Sequence, residues 1–190
     1  MEEKTDEEIT FQVQQGQAES FGLLVERYEK KMQRYARKFL FGYDEAEDLV
    51  QEVFIKAYVN IKSFDAGRKF SPWIYRIAHN EFINAIKRRG VESVSLFDID
   101  TFFPHLVSDD SADRKTNRRE AKEIIDKGIG KLGPKYREVL ALYYFEDLSY
   151  QEISEVLRLP VATIGVRLKR ARDLLENIIK SSYHSYGYAK

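Results

Sequence analysis

Apolar side chains recur every three or four positions along most of this chain, a spacing that predicts amphipathic helices. Residues 20–40 carry one such stripe, and residues 9–16 predict a further one or two helical turns. Asp44 is a good N-cap residue and Glu47 occupies the matching capping-box position, so we expect a helix to begin there. Its apolar stripe runs from residue 46 to residue 61 and includes Tyr58.

The middle of the chain combines turn residues with a further helical pattern. Residues 62–71 lack a helical period, and Ser71 followed by Pro72 predicts the start of a helix over residues 72–89. Gly90 is expected to end it. Polar side chains spaced by four, four and three positions share its exposed face: Arg76, Asn80, Asn84 and Lys87.

Residues 91–113 have no helical period and contain Pro104, which indicates a linker; its apolar residues indicate that it lies against another surface. Further helices are expected over residues 117–131, 135–145 and 161–179. A short helix capped by Ser149, with Glu152 in the capping box, is expected before the last of these. The expected fold is all-α, with two small helical domains at residues 1–90 and 116–182, an extended acidic linker at 91–115 and a tail at 183–190.

The net charge is zero, from 31 basic and 31 acidic residues, but the charges are segregated along the chain. Five acids and no base lie within residues 44–52, and six bases with one acid lie within residues 68–89. Residues 92–113 contain six acids and no Lys or Arg, whereas residues 161–172 contain four bases and no acid. A single block fits a solvated helix face equally well, but alternating blocks favour separate surfaces for separate partners.

Composition excludes several kinds of site. The chain has no cysteine, which excludes disulfides, thiolate zinc sites and a cysteine nucleophile, and its three histidines lack metal-ligand spacing. We find no phosphate loop and no nucleophile with its base, so we expect neither enzymatic activity nor a cofactor or small-molecule substrate. The charged start and the absence of a long apolar run argue against a signal peptide and a membrane span, so we expect a soluble cytoplasmic protein.

Residues 148–172 have the pattern of a helix-turn-helix, with a short capped helix, a break at residues 159–160 and a longer basic helix. One helix fits the DNA major groove, where residues near its N-terminus reach base edges. Duplex DNA binding is therefore favoured over a helical hairpin with a solvated basic face. One side of the basic helix carries Thr163, Arg167 and Arg170, flanked by Lys169 and Arg172.

Aromatic and basic residues interleave over residues 62–89. Aromatic rings stack on unpaired bases while cations hold the backbone, so this segment favours single-stranded DNA. For Trp73 alone, a place in the hydrophobic core is the stronger interpretation. The acidic segment 44–52 repels nucleic acid. Acidic clusters can serve acid–base catalysis or bind metals, but no further ligands accompany this one, so a protein-binding face is favoured.

These segments resemble the extracytoplasmic-function (ECF, group IV) sigma factors of the sigma-70 family. Residues 44–58 (DEAEDLVQEVFIKAY) resemble region 2.2, and residues 70–80 (FSPWIYRIAHN) resemble regions 2.3 and 2.4. Residues 132–140 (LGPKYREVL) and 148–172, beginning LSYQEIS, resemble region 4. The match covers nearly the whole chain in the right order, and residues 57–78 are similar to the envelope-stress, sigma W-like subgroup.

The resemblance implies a factor that binds core RNA polymerase and directs promoter-specific transcription initiation by reading −10 and −35 elements. It also implies a stress or envelope response and restraint by an anti-sigma factor, often membrane-bound. The linker would thread the polymerase channels, and the acidic helix would dock on the clamp coiled coil of the largest subunit; the second-largest subunit is the other expected polymerase partner.

Site residues follow from the same resemblance. The implied polymerase contacts are Asp44, Glu47, Asp48, Gln51, Glu52, Phe54 and Ile55. The implied −10 contacts are Lys62, Ser63, Phe64, Asp65, Arg68, Lys69, Phe70, Trp73, Arg76, Asn80, Asn84, Lys87 and Arg88. The implied −35 contacts are Ser149, Tyr150, Pro160, Ala162, Thr163, Val166, Arg167, Lys169 and Arg170.

Two residues depart from the family pattern: Gly165 in the recognition helix, where relatives often carry a polar or basic side chain, and Asn84, where many have Asp. Three other classes of protein remain as alternatives. An ordinary activator or repressor would share the helix-turn-helix but has no need of the acidic helix and aromatic–basic loop together. A protein-binding adaptor would not need the basic face, and an enzyme would need catalytic motifs that we do not find.

Overall fold

The computed structural model describes residues 4–40, 45–88 and 118–185. Within these ranges the chain is helical and contains no strand, which confirms the expected all-α class. The expected linker, Asp44 and Gly90, and the last five residues of the expected tail lie outside the described residues. Two helical units, one on each side of residues 89–117, make up the described part.

The first unit contains four α-helices: α1 (Asp6–Gln14), α2 (Phe21–Phe39), α3 (Ala46–Asn60) and α4 (Phe70–Arg88). Their apolar stripes meet in one core, in which Leu24, Met32 and Phe39 of α2 are fully buried. The contacts run in sequence from α2 to α3 and from α3 to α4, and α1 packs across α2 and α4. The 3.6-residue period therefore located α2, α3 and α4 correctly.

Helix α1 begins earlier than residue 9, where periodicity placed it. Thr5 is the N-cap: its hydroxyl accepts from the Glu8 amide at 3.2 Å, and the Glu8 carboxylate accepts from the Thr5 amide at 2.9 Å. This first turn is entirely polar, so an apolar period could not reveal it, although its capping box was visible in the sequence.

Two other helix starts also differ from expectation. Helix α3 begins at Ala46, with Glu45 rather than Asp44 at the N-cap position. Helix α4 begins at Phe70, not after a Ser71 cap, because the Phe70 amide donates to the carboxylate of Glu7 at 2.9 Å. A side chain from α1 thus supplies the acceptor that the sequence assigned to Ser71.

The second unit contains α5 (Arg118–Lys131), α6 (Pro134–Leu140), a π-helical turn (Ala141–Phe145), α7 (Tyr150–Leu157) and α8 (Val161–Ser185). Ser149 and Glu152 form the predicted capping box at the start of α7. Arg158 ends α7 in the left-handed conformation, with φ of 53°. Helix α8 continues to Ser185, beyond residue 179 and into the expected tail.

Candidate polymerase and nucleic-acid interfaces

Helix α3 presents the predicted acidic face to solvent. The exposed side chains of this face are Glu47, Asp48, Gln51, Glu52 and Ile55, the last being 55% exposed. Phe54 is only 9% exposed and belongs to the core, and polymerase contact by this residue stays a prediction. Tyr58, predicted in the buried stripe, is 45% exposed, with the edge of its ring on Phe21 at a centroid distance of 5.2 Å.

The aromatic–basic loop between α3 and α4 buries its aromatic residues and exposes its polar ones. Phe64 and Phe70 are buried, with ring centroids 5.7 Å apart, and the half-buried Trp73 packs on both. These two rings fill the core beneath the loop, and DNA contact by Phe64 and Phe70 stays a prediction. The polar residues of the loop are exposed: Lys62, Ser63, Asp65, Arg68 and Lys69.

The polar face of α4 continues from this loop. Asn80, Asn84, Lys87 and Arg88 are exposed, while Arg76 is partly buried. The Arg76 guanidinium donates to the backbone carbonyl of Glu155, with a distance of 3.0 Å from Nε. Burial lowers the pKa of Arg76, and the nearby guanidinium groups of Arg158 and Arg68 act in the same direction.

In the helix-turn-helix, α8 exposes some of the predicted DNA contacts and partly buries others. Ile164, Leu168 and Ala171 are fully buried, as expected. Arg167, predicted to face the groove, is partly buried; burial lowers its pKa, although Glu138 and Tyr136 lie close enough to oppose that shift. Thr163 is also partly buried. The predicted DNA contacts that are exposed are Ser149, Pro160, Ala162, Val166, Lys169 and Arg170.

Gly165 lies on α8 opposite α7. A methyl group at this position would lie 3.6 Å from Cε2 of the Tyr150 ring, which is an ordinary van der Waals distance. Tyr150, predicted to contact DNA, is partly buried and packs against Tyr143 at a centroid distance of 5.3 Å. Because this distance leaves room for a side chain, the position of the Tyr150 ring does not require a glycine at position 165.

The two units pack against each other, α2 on α6 and the π-helical turn, and α4 on α7. Ion pairs across this interface place the cation in the first unit and the carboxylate in the second. Arg34 Nε lies 2.8 Å from Glu146 Oε1, and Lys69 Nζ lies 2.9 Å from Glu152 Oε1. Further pairs are Lys38 with Asp126, Arg68 with Glu155 and His79 with Glu138.

Two carboxylates at the centre of this interface are buried and hydrogen-bonded. Glu138 accepts from the Tyr35 hydroxyl at 2.6 Å, and its Oε1 lies 2.6 Å from Nδ1 of His79. Glu146 accepts from the Tyr75 hydroxyl at 2.6 Å and from the Arg34 guanidinium. Burial raises the pKa of Glu146 although these hydrogen bonds favour its charged form. The sequence analysis did not predict Glu138 and Glu146 as site residues, because these acids and their partners lie far apart along the chain.

Comparison with known proteins identifies the chain. The family model for Sigma-70 region 2 matches residues 24–91, and that for Sigma-70, region 4 matches residues 122–175. The chain is 37% identical to the ECF RNA polymerase sigma factor SigW of Bacillus subtilis over 181 residues, covering 89% of this chain and 94% of SigW. The chain belongs to the ECF sigma factors of the sigma-70 family. It is thus a transcription initiation factor that directs RNA polymerase to promoters.

This sigma factor is also 34% identical to the ECF RNA polymerase sigma-E factor of Haemophilus influenzae, over 94% of its own length and 97% of the relative's. Solved structures agree. CnrH, in complex with the cytosolic domain of CnrY, matches with a TM-score of 0.69 and 26% identity over 94% of this chain and 99% of CnrH. RpoE of Bartonella quintana, in complex with the anti-sigma factor NepR, matches with a TM-score of 0.65 and 26% identity over 84% and 96%.

Among residues 4–40, 45–88 and 118–185, no helix is long and apolar enough to cross a bilayer. In the same ranges, no three or more His, Asp or Glu side chains come together as metal ligands would.

Proposed function

We propose that this sigma factor divides promoter recognition between two domains, region 2 at residues 1–90 and region 4 at residues 116–182, connected by residues 91–115. Helix packing within each unit supports this division: α2 on α3 and α3 on α4 before residues 89–117, and α5, α6 and α7 on α8 after them. Region 2 docks on polymerase and reads the −10 element, and region 4 reads the −35 element. The protein acts on transcription as a binding factor, without catalysing a reaction of its own, and it works in the cytoplasm, where core polymerase and promoter DNA are.

The observation that carries the docking proposal is the exposed face of α3. Asp48, Gln51, Glu52 and Ile55 recur at spacings of three, one and three, so they form one surface with an apolar centre and an acidic rim. The opposite side of α3 is anchored in the core through Val53 and Ala57, both fully buried. A rigid acidic helix face of this kind complements a basic protein surface and repels DNA.

The −10 surface is proposed to consist of the exposed loop residues and the polar face of α4. Exposed amide groups at Asn80 and Asn84 can hydrogen-bond unpaired bases, while Lys62 and Lys87 hold the backbone. For the −35 element, the exposed N-terminal part of α8 offers Ala162 and Val166 for apolar contact with thymine methyl groups, and its cations for phosphates and base edges.

An anti-sigma factor is the proposed regulator. RpoE of Bartonella quintana was solved with the anti-sigma factor NepR, and CnrH with the cytosolic domain of CnrY. Both structures match most of this chain, which supports a partner of the same class. A stress or envelope response is proposed because SigW and sigma-E, its relatives, are ECF factors.

The docking proposal is tested with the double variant Gln51→Ala/Glu52→Ala. We expect its affinity for purified core polymerase to fall roughly tenfold, which corresponds to about 1.4 kcal/mol, because the variant loses one carboxylate and one amide of the docking face. Gln17→Ala/Glu19→Ala is the matched control, since it removes the same two residue types from an exposed turn outside α3. Equal affinity of wild type and of the α3 variant would contradict the proposal.

A further inference from the structure

Helix α1 holds both ends of the loop that joins α3 to α4. Nε2 of Gln14 donates to two backbone carbonyls, that of Ile61 at 2.8 Å and that of Phe64 at 2.7 Å. At the other end of the loop, Oε1 of Glu7 accepts from the Phe70 amide at 2.9 Å. Two side chains of one short helix thus reach backbone groups 47 to 63 positions away.

These bonds satisfy backbone groups that the ends of helices leave open. The first amides of α4 lack intrahelical acceptors, and a carboxylate is a favoured acceptor there because it also interacts with the helix dipole. The loop itself is held by an Asp65 turn, in which Oδ1 accepts from the Gly67 amide at 2.9 Å. Between the two fixed ends lie the exposed Arg68 and Lys69.

We propose that Glu7 and Gln14 are positioning residues for −10 recognition, because they fix the shape of the loop that presents its polar side chains to the DNA strand. This inference rests on the proposed function of the loop. Neither side chain contacts DNA in this proposal; each acts through the backbone of the loop. The apolar contribution of α1 to the core comes from other residues, Ile9 and Val13, which are buried.

The decisive variant is Gln14→Glu. It keeps the size of the side chain but removes both donated hydrogen bonds and places a carboxylate against two carbonyl oxygens. Gln15→Glu is the matched control, because it makes the same charge change at the adjacent, exposed residue. The assay uses the full chain assembled with core polymerase and measures the affinity for a single-stranded −10 oligonucleotide and the rate of promoter opening.

We expect Gln14→Glu to weaken −10 binding five- to tenfold and to slow opening, with unchanged affinity for core polymerase and for a −35 duplex. Gln15→Glu should behave as wild type. A parallel loss of all three affinities would show a merely structural role and overturn the proposal, as would wild-type −10 binding by Gln14→Glu. If the wild-type holoenzyme itself fails to bind the −10 strand, the proposed function fails instead.

Glu7 provides a second, independent pair of variants. Glu7→Gln retains a carbonyl oxygen that can accept from the Phe70 amide, whereas Glu7→Ala removes the acceptor. We expect Glu7→Ala to lose −10 affinity and Glu7→Gln to recover most of it. Equal defects in the two variants would show that the charge of Glu7, rather than its hydrogen bond, matters, and would contradict the positioning role.

A second set of contacts, made by α7, covers part of the proposed −10 surface on α4 and the loop before it. Helix α7 of the helix-turn-helix lies against α4 and takes up cations that the −10 surface needs. Glu152 pairs with Lys69, and the side chain of Glu155 lies 3.3 Å from Nη2 of Arg68. The backbone carbonyl of Glu155 also accepts from Arg76.

From this geometry we infer that α7 competes with promoter DNA for the −10 surface within one sigma factor molecule. Carboxylate and phosphate oxygens are alternative acceptors for the same guanidinium and ammonium groups, so both cannot occupy these cations. The pairs at Arg68 and Lys69 are exposed, and such pairs are individually weak and screened by salt. Salt therefore weakens these pairs, and the inference requires that docking on core polymerase releases α7 from α4.

The competition is tested by weakening the interface from its acidic side with Asp126→Lys/Glu155→Lys. Neither residue belongs to the proposed DNA surfaces. Asp173→Lys/Glu176→Lys is the matched control, because it makes the same charge change on exposed positions of α8. The chain has no cysteine, so Lys30→Cys and Asn177→Cys, both at exposed positions, allow two spectroscopic labels to report the distance between the units.

We expect the interface variant to lengthen the label distance and to bind a −10 oligonucleotide at least fivefold more tightly than the control, as free chain. Bound to core polymerase, the two variants should bind the oligonucleotide equally. An unchanged distance, or oligonucleotide binding no tighter than that of the control, would overturn this inference.

Discussion

At the scale of single residues, buried carboxylates determine how the two units meet. A buried charge without partners is strongly destabilising, and Glu138 and Glu146 each receive their hydrogen bonds from the other unit. Separation of the two units would therefore break these hydrogen bonds. The aromatic hydroxyls of Tyr35 and Tyr75 take part in the same arrangement, and burial raises the pKa of both.

His79 makes this contact sensitive to pH. Burial alone would lower the pKa of His79, but the Glu138 carboxylate, through its charge and its hydrogen bond, outweighs burial and the repulsion from Arg76 and Lys87, so the pKa is raised. Protonated His79 thus stabilises the packed arrangement. This contribution is fully present below the ordinary histidine pKa of about 6.5 and is lost as the pH rises through the higher value of the packed state.

We therefore expect the distance between labels on the two units to increase as the pH is raised from about 6 to about 8.5. In a His79→Gln variant, which cannot take up the proton, this increase should disappear or shrink strongly. The same pH titration by fluorescence energy transfer serves both proteins. A wild-type distance that is constant across this range, or a variant that responds as strongly as wild type, would contradict the role of His79.

The residue types in the sequence indicated what kind of contact a side chain can make, but not whether it points into the core or to solvent. The sequence did not reveal that Phe54, Phe64 and Phe70 lie in the core, because an aromatic ring beside a polar segment can point either way. The exposed residues Gln51, Glu52, Asn80 and Asn84 were placed correctly on helix faces, since the helical period fixes the side on which each polar group lies.

At the scale of elements, the sequence predicted a helix start that is fixed by neighbouring residues, but not one that is fixed by a residue distant in the chain. The start of α7 was predictable because both members of its capping box, Ser149 and Glu152, are three residues apart. The start of α4 was not, because its acceptor is Glu7, 63 positions earlier. The conversion of the end of α6 into a π-helical turn at residues 141–145 also lacked a sequence signal.

Gly128 of α5 and Gly165 of α8 provide a test of element stability. An alanine methyl at Gly165 would lie 3.6 Å from Tyr150, in ordinary contact, so Gly165→Ala should raise the free energy of unfolding by up to about 1 kcal/mol. At Gly128 the methyl would lie only 2.8 Å from Cδ1 of Leu175 on α8, so Gly128→Ala should gain less or be destabilising. Urea unfolding of both variants compares them; a Gly165→Ala protein less stable than wild type would contradict the described packing.

At the scale of the whole molecule, charged residues form both the exposed surfaces proposed for partners and the ion pairs between the two units. The sequence blocks correctly indicated an acidic helix face and basic surfaces on the same chain. They did not indicate that scattered acids of the second unit would meet the basic residues of the first, because Asp126, Glu138, Glu146, Glu152 and Glu155 form no block. The packing of α7 on α4, and of α5, α6 and the π-helical turn on α2, brings them into one surface.

This packing predicts how free sigma factor responds to ionic strength. The exposed pairs at the interface weaken with salt, so higher salt should separate the units and uncover the −10 surface. Salt also weakens DNA binding directly. The distance between the two labels reports only the separation of the units, whereas DNA affinity reports both effects of salt. We expect the label distance to increase between about 50 mM and about 500 mM salt. A salt-independent distance would contradict this account of the interface.

The central claim is that the chain confers promoter specificity on core RNA polymerase. Its most direct test is in vitro transcription with purified core enzyme on a library of promoter fragments, with and without the chain. We predict that the chain produces transcripts with defined start sites, and that changes in the −10 or −35 element abolish them. Transcription that is identical with and without the chain would contradict the account.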